Sequence, residues 1–68
     1  MNLQPYQQQV IDEHKRLSGK LAKLTEFINS ERFTEIVPDE RERERLIFLQ
    51  SAIKAGLGVL NHRIDAFK

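Results

Sequence analysis

The sequence predicts an all-α protein, an antiparallel helical hairpin of two long helices with a short helical connector, assembled into a homo-oligomer. Both halves of the 68-residue chain repeat apolar residues at alternating steps of four and three, which is the pattern of helices packed side by side. One short proline-containing segment separates the two patterns, and no alternation typical of strands competes with them. We therefore expect a single helical-hairpin domain over residues 1–68.

The first helix is predicted over about residues 5–29. Pro5 suits a first helical position, because the N–H that proline lacks has no acceptor within the helix there. Asn29 and Ser30 prefer helix ends to helix interiors, so the helix is expected to end beside them. Seven residues form the face that should pack inward: Tyr6, Val10, His14, Leu17, Leu21, Leu24 and Ile28.

The connector is predicted over about residues 30–37 and the second helix over about residues 38–67. Ser30 is expected to cap a single helical turn, whose Phe33 would plug the open end of the hairpin. Pro38 should open the second helix at its first turn, with Asp39 paired to Arg43 four residues later. The inward face of this helix comprises Leu46, Gln50, Ile53, Leu57, Leu60, Ile64 and Phe67.

The second helix also carries an apolar stripe away from the hairpin, and this stripe predicts an oligomer interface. A helix with two apolar faces needs two partners, and the first helix covers only one face. Small residues on the stripe let another backbone approach closely, which gives a reason for a glycine that costs a helix about 1 kcal/mol relative to alanine. The predicted interface residues are Phe48, Ala52, Ala55, Gly56 and Val59. Gly58 lies off both faces and has no packing role in this prediction.

Composition also favours self-association. A chain this short buries a small core and commonly needs disulfides, a metal or oligomerisation. There is no cysteine, which excludes disulfides and suits a cytoplasmic protein. His14 and His62 form no zinc-type cluster, so no metal site is expected.

The balanced charge narrows the classes of function. The net charge is +1, from 11 basic and 10 acidic residues, whereas binders of DNA, RNA or membrane surfaces usually carry a basic excess. The run at residues 39–45 alternates in sign and is typical of a solvated helix start. No serine or threonine has a histidine and a carboxylate at a recognisable spacing, so we predict no enzyme, and no cofactor is expected.

A few polar and aromatic residues are candidates for ligand binding. Arg16, Lys20 and Lys23 share one flank of the first helix, where they either hold phosphates or cover the seam with their aliphatic stems. Tyr6 either staples the helix end to Phe67 or Ile64, or stacks on a nucleobase. Asn61 and Arg63 would line a pocket created by assembly.

The chain resembles a family of small tailed-phage helical proteins related to the anti-CBASS sponges. The residues that carry the resemblance are YQQQVIDEHKRLSGKLAKLTEFI, a phenylalanine in the connector, and ERLIFLQSAIKAGLGVLNHRIDAF, which together cover nearly the whole chain. These sponges bind cyclic oligonucleotide second messengers and keep them from the effectors of host defence. The resemblance implies a compact homo-oligomer, commonly a hexamer, with ligand pockets between protomers.

The resemblance also implies roles for individual residues. Tyr6 would stack on a base and Lys23 would contact phosphate, with Lys20 as the neighbouring choice. A second kind of pocket, for cyclic trinucleotides, would use Thr25 and Arg63. The chain is shorter than the better-known sponges, so the choice between Lys20 and Lys23 and the preferred ligand both stay open.

The leading hypothesis is therefore a phage anti-defence protein that sequesters cyclic di- or trinucleotides in the host cytoplasm without cleaving them. The alternative is an oligomeric helical module for protein–protein interaction that has no nucleotide ligand. Neither hypothesis requires DNA, RNA, a membrane or a metal.

Overall fold

The computed structural model describes residues 3–67, which form three helices: α1 (Pro5–Ile28), α2 (Phe33–Ile36) and α3 (Glu40–Asp65). The two long helices run antiparallel and pack against each other. The ring of Tyr6 at the start of α1 meets that of Phe67 after α3, and Thr25 late in α1 meets Gln50 early in α3. The hairpin measures 48 × 15 × 14 Å. The predicted all-helical hairpin is confirmed, and its assembly stays a prediction.

The start of α1 follows the sequence prediction. Pro5 is the first helical residue, and the backbone N–H of Gln4 donates to the side-chain oxygen of Gln7 at 2.8 Å. This bond satisfies one of the donors that a helix start leaves without an intrahelical acceptor. The helix ends at Ile28 with Asn29 as its C-cap, beside the two residues that the sequence marks as a helix end.

The connector contains the predicted helical turn. Its N-cap is Arg32 rather than the expected Ser30. Ser30 lies just before the turn, where its hydroxyl accepts from the Arg32 N–H at 3.1 Å and its carbonyl accepts from the Phe33 N–H at 3.2 Å. Phe33 is buried and packs edge-to-face against Phe27 with ring centroids 5.3 Å apart. The prediction that Phe33 closes this end of the hairpin is confirmed.

The start of α3 corrects two predictions. The helix begins at Glu40 rather than Pro38, because Asp39 is its N-cap and accepts from the Arg41 N–H at 3.0 Å. Arg43 does not pair with Asp39. Its guanidinium donates instead to the carbonyls of Val37 and Pro38 at 2.8 and 2.9 Å, two acceptors that lie before the helix and outside its ladder. At its other end, α3 stops at Asp65 with Ala66 as the C-cap, two residues earlier than expected.

The core of the hairpin is small. Among residues 3–67, five apolar side chains are buried, and four of them lie on the predicted inward faces: Val10, Ile53, Leu57 and Leu60, with Phe33 from the connector. The stripe on the outer side of α3 stays in solvent, with Phe48 74% exposed and Val59 61% exposed. Within the described part of the chain, no helix combines the length and apolar character needed to cross a bilayer.

Gly56 corrects the predicted outer stripe. The sequence predicts it on the face turned away from α1, yet it is half-buried, and a Cβ built on it would lie 3.9 Å from Leu17 Cδ1. Gly56 directly precedes the buried Leu57 and follows the buried Ile53 by three residues, so it lies at the edge of the α1–α3 seam. The other four stripe residues are exposed, as predicted: Phe48, Ala52, Ala55 and Val59.

Candidate ligand-binding grooves

Two open grooves lie towards opposite ends of the hairpin. The first, the Tyr6 groove, has a volume of about 280 Å³ and is lined by Tyr6, Gln9, Val10, Glu13, Leu60 and Arg63. The second, the Lys23 groove, has a volume of about 370 Å³ and is lined by Lys23, Glu26, Phe27 and Ser30. The Lys23 groove is at the small end of the range for small-molecule sites, roughly 300–1,000 Å³, and the Tyr6 groove lies just below that range. In a single chain each groove therefore has room for only part of a drug-sized ligand.

Tyr6 both staples the hairpin and remains open to a ligand. Its ring makes an edge contact with Phe67, with centroids 6.1 Å apart and planes at 89°. This is the packing role that the sequence offers as the alternative to stacking on a base. Nevertheless 56% of the residue stays exposed, so ring surface is left on which a base can stack.

Arg63 is the cation that the fold brings to Tyr6. It lies in the last turn of α3, and the antiparallel packing places it in the groove opposite the first turns of α1. Among residues 3–67 it makes no salt bridge. A guanidinium without a carboxylate partner, beside an exposed aromatic ring, matches the two chemical parts of a nucleotide, phosphate and base.

The carboxylate of Glu13 in the same groove is occupied by Arg16. The guanidinium donates to both carboxylate oxygens, with Nε–Oε2 at 3.1 Å and Nη2–Oε1 at 2.6 Å. This bidentate hydrogen bonding lowers the pKa of Glu13 and raises the pKa of Arg16. Glu13 thus stays ionised near neutral pH, and Arg16 is less available to a phosphate than its flank neighbours.

Lys20 and Lys23 do not join Tyr6 within one chain. Seventeen residues separate Tyr6 from Lys23, which is roughly 25 Å along a helix that rises about 1.5 Å per residue, and Lys20 is roughly 21 Å away. Both lysines are exposed and make no ion pair in the described part of the chain. A pocket that contains Tyr6 and either lysine therefore needs two protomers.

Thr25 and Asn61 lie apart from the Tyr6 groove. The Thr25 hydroxyl oxygen accepts from Gln50 Nε2 at 2.9 Å, a half-buried bond that joins α1 to α3. Asn61 is exposed two residues before Arg63, which turns it about 200° around the helix from that arginine. The structure thus brings together Tyr6 and Arg63, and it disperses Lys20, Lys23, Thr25 and Asn61.

Sequence reasoning missed two residues of the Tyr6 groove, Gln9 and Glu13. They follow Tyr6 by three and seven positions and so share its flank of α1, a spacing that identifies groove neighbours once Tyr6 is chosen. For metals, residues 3–67 contain no group of three or more histidine or carboxylate side chains arranged to hold an ion.

Comparison with known proteins gives one match. No curated protein and no solved structure matches the chain. The family model described as Sequestin matches residues 4–66, a span that includes the three helices and both grooves. Since this span is nearly the whole sequence, the chain belongs to the Sequestin family.

Proposed function

We propose that this protein binds a cyclic oligonucleotide second messenger and sequesters it intact. The observation that carries the proposal is the pairing, in one groove, of the exposed Tyr6 ring with an Arg63 guanidinium that makes no salt bridge among the described residues. The family name adds support, because it denotes sequestration rather than catalysis. In a phage-infected cell such binding would take place in the host cytoplasm and would lower the concentration of second messenger that reaches the anti-phage effectors.

Four side chains of the Tyr6 groove, Tyr6, Gln9, Glu13 and Arg63, each have a defined task in this proposal. Stacking of a base on Tyr6 is worth about 1–3 kcal/mol, as base–aromatic contacts are elsewhere. Arg63 offers a planar fork of donors to a phosphate. The Gln9 amide supplies both a donor and an acceptor to a base edge, while Glu13 supplies acceptors alone.

In this proposal the binding site is completed by neighbouring protomers of a homo-oligomer. The resemblance to the sponges implies that this oligomer is a hexamer. A cyclic dinucleotide presents two bases and two phosphates, so a two-fold interface offers matching copies of each side chain. Because Tyr6 lies roughly 21–25 Å from Lys20 and Lys23 in one chain, a lysine contact to phosphate comes from a neighbouring protomer. Thr25 and Arg63 remain candidates for a second, cyclic trinucleotide pocket, and Asn61 for the lining of a pocket that assembly creates.

The test is isothermal titration calorimetry with a panel of cyclic di- and trinucleotides, with linear mononucleotides as controls. Tyr6→Ala is expected to weaken binding by about 5- to 150-fold, the equivalent of 1–3 kcal/mol for one stacked base. The matched control Tyr6→Phe keeps the ring and is expected to bind within a few-fold of the parent. Recovery of unaltered nucleotide after heat release of the complex, checked by mass spectrometry, establishes sequestration.

The same titrations separate the two hypotheses and the two lysines. If no nucleotide of the panel produces a heat of binding, nucleotide sequestration is refuted and the protein–protein interaction module is favoured. Lys20→Ala and Lys23→Ala are compared with Lys54→Ala, which removes an equal charge from α3. The phosphate-contacting lysine is the one whose loss weakens binding more than the Lys54 control.

A further inference from the structure

Four exposed apolar residues on the outer side of α3 are arranged symmetrically along the helix. Ile47 and Leu49 are exposed as well, but each is turned about 100° from Phe48 and lies outside this set. We call Phe48, Ala52, Ala55 and Val59 the outer stripe. Their steps of four, three and four are the same in both directions, and the pairs 48/59 and 52/55 share a midpoint between residues 53 and 54. A large exposed side chain lies at each end, and alanines lie between them. This order is self-complementary in the antiparallel sense.

Two copies of α3 laid antiparallel across this midpoint fit each other. Phe48 lies against the partner's Val59, and Ala52 lies against the partner's Ala55. The alanines in the middle allow the two backbones to approach closely. Phe48 and Val59, which are 74% and 61% exposed in the single chain, become covered by the partner. A parallel pair would set Phe48 on Phe48 and Val59 on Val59, with unequal gaps along the stripe.

The charges that flank the outer stripe differ between its two edges. Arg45 and Arg63 are 18 residues apart, about five full turns, so they share one edge. Glu44 and His62 share the other edge for the same reason. A two-fold axis perpendicular to the helix pair brings each edge against the same edge of the partner. Glu44 then faces the partner's His62, and Arg63 faces the partner's Arg45.

We propose that two copies of this chain pair antiparallel through the outer stripe of α3, and that the partner's Arg45 completes the Tyr6 groove. Arg63 both lines that groove and lies on the arginine edge of the stripe, so a guanidinium that faces it from the partner enters the same site. The inference about Arg45 rests on the proposed nucleotide function, whereas the pairing of the stripe does not.

Arg45 can take this role because its present ion pair is weak. Its present partner is Glu42, at 3.3 Å in an exposed i,i+3 pair, and such pairs contribute little in water. Two guanidinium groups face to face repel each other unless an anion lies between them. A phosphate there attracts both, so ligand binding and pairing of the protomers strengthen each other.

Cysteine cross-linking tests the register. The chain has no cysteine, so Ala52→Cys and Ala55→Cys each create a single thiol. Equal amounts of the two variants are mixed, allowed to exchange subunits and oxidised, and trypsin cleavage at Lys54 places the two cysteines on different peptides. The antiparallel register predicts that mixed 52–55 disulfides exceed either homodisulfide by several-fold, because only that pair comes within bonding distance. If the mixed and homotypic disulfides form in the ratio expected for random pairing, or if 52–52 disulfides dominate, the proposal is overturned.

Sedimentation velocity tests the surface. Phe48→Ser is expected to shift the protein towards smaller species at equal concentration, with helicity by circular dichroism unchanged, because Phe48 lies outside the core of the single chain. The matched control is Ile47→Ser, which removes a neighbouring residue that is 46% exposed but turned about 100° from Phe48. Equal effects of the two substitutions, or none from Phe48→Ser, contradict pairing through the stripe.

Calorimetry with the tightest-binding cyclic nucleotide of the panel tests Arg45. Arg45→Ala is expected to weaken binding by about tenfold, as loss of one charge-assisted contact does. The control Lys15→Ala removes an exposed cation from α1, and its affinity for the nucleotide is expected to stay within twofold of the parent. If no cyclic nucleotide binds the parent, the proposed function fails and the cross-linking result still decides the pairing. If nucleotide binds but 52–55 links do not prevail, only the pairing and the role of Arg45 fail.

Discussion

At the scale of single residues, three arginines of this chain have three different roles. Arg16 is fixed to both oxygens of Glu13, and Arg43 donates to two carbonyls before α3. Arg63 makes no salt bridge among residues 3–67 and lines the Tyr6 groove. The charge of a residue therefore says less about ligand binding than its existing partners do.

The Glu13–Arg16 pair predicts a measurable change in acidity. Arg16→Ala is expected to raise the pKa of Glu13, because the hydrogen bonds that favour its ionised form are removed. An NMR titration of the Glu13 side chain measures it, with Arg32→Ala, at the connector end of the hairpin, as a control that leaves the pair intact. An unchanged Glu13 pKa would show that the pair does not persist in solution.

The sign of the linked effect on stability follows from the depressed pKa. In the parent, the stabilisation from Glu13 is present above the pKa of the unfolded carboxyl and is lost as the pH falls through the lower, folded pKa. Arg16→Ala should therefore flatten the dependence of thermal stability on pH in the acid range. The effect is small, because the pair is exposed and screened by water and salt.

At the scale of elements, the two glycines of α3 have different surroundings. Gly56 lies at the seam, 3.9 Å from Leu17 when a Cβ is built on it, whereas a Cβ at Gly58 meets nothing within 4 Å. Neither glycine has a positive φ, so neither is required by backbone conformation. A methyl group at Gly56 would make only an ordinary contact with Leu17, so nothing in the single chain requires glycine at either position.

Substitution of these glycines by alanine gives a prediction about α3. Gly58→Ala should raise the free energy of unfolding by about 1 kcal/mol, the difference in helix propensity, because no neighbour obstructs the new methyl group. Gly56→Ala should also stabilise, since 3.9 Å is an ordinary contact, while Gly56→Leu should destabilise by crowding Leu17. Urea denaturation measures all three. Loss of stability in Gly58→Ala would indicate a close neighbour at that position in the assembly.

At the scale of the whole molecule, the hairpin buries little and exposes much. Five buried apolar side chains among residues 3–67 are a small core for a 68-residue chain, and Phe48 and Val59 stay largely in solvent. Chains of this size generally gain the missing stability from a disulfide, a metal or a partner. Phe48 and Val59 are the exposed apolar surface that a partner protomer would cover, and this association stays a prediction.

Self-association predicts a melting temperature that depends on protein concentration. A 100-fold dilution should lower Tm, because a partner that binds the folded chain stabilises it by mass action. Scanning calorimetry at high concentration and circular dichroism at low concentration cover the range, and Phe48→Ser should reduce the dependence. A Tm that does not move on dilution would indicate a hairpin stable by itself.

The sequence alone determined the helical hairpin. The steps of four and three placed Val10, Ile53, Leu57 and Leu60 in the core before any contact was known, and Ser30 and Phe33 marked the connector. This worked because helix periodicity and capping are local, so neighbouring residues carry the information. The outer stripe was equally visible, apart from Gly56.

Only the tertiary structure decided which side chains meet. The antiparallel register brings Arg63 to Tyr6 from the far end of the chain, sets Gln50 on Thr25 and separates Tyr6 from Lys23 by roughly 25 Å. Periodicity assigns a residue to a face but not to a height along the partner helix, and Arg43 found carbonyls where spacing predicted a carboxylate. Contacts across the hairpin depend on how the two helices pack against each other, and the sequence pattern of one helix does not specify that packing.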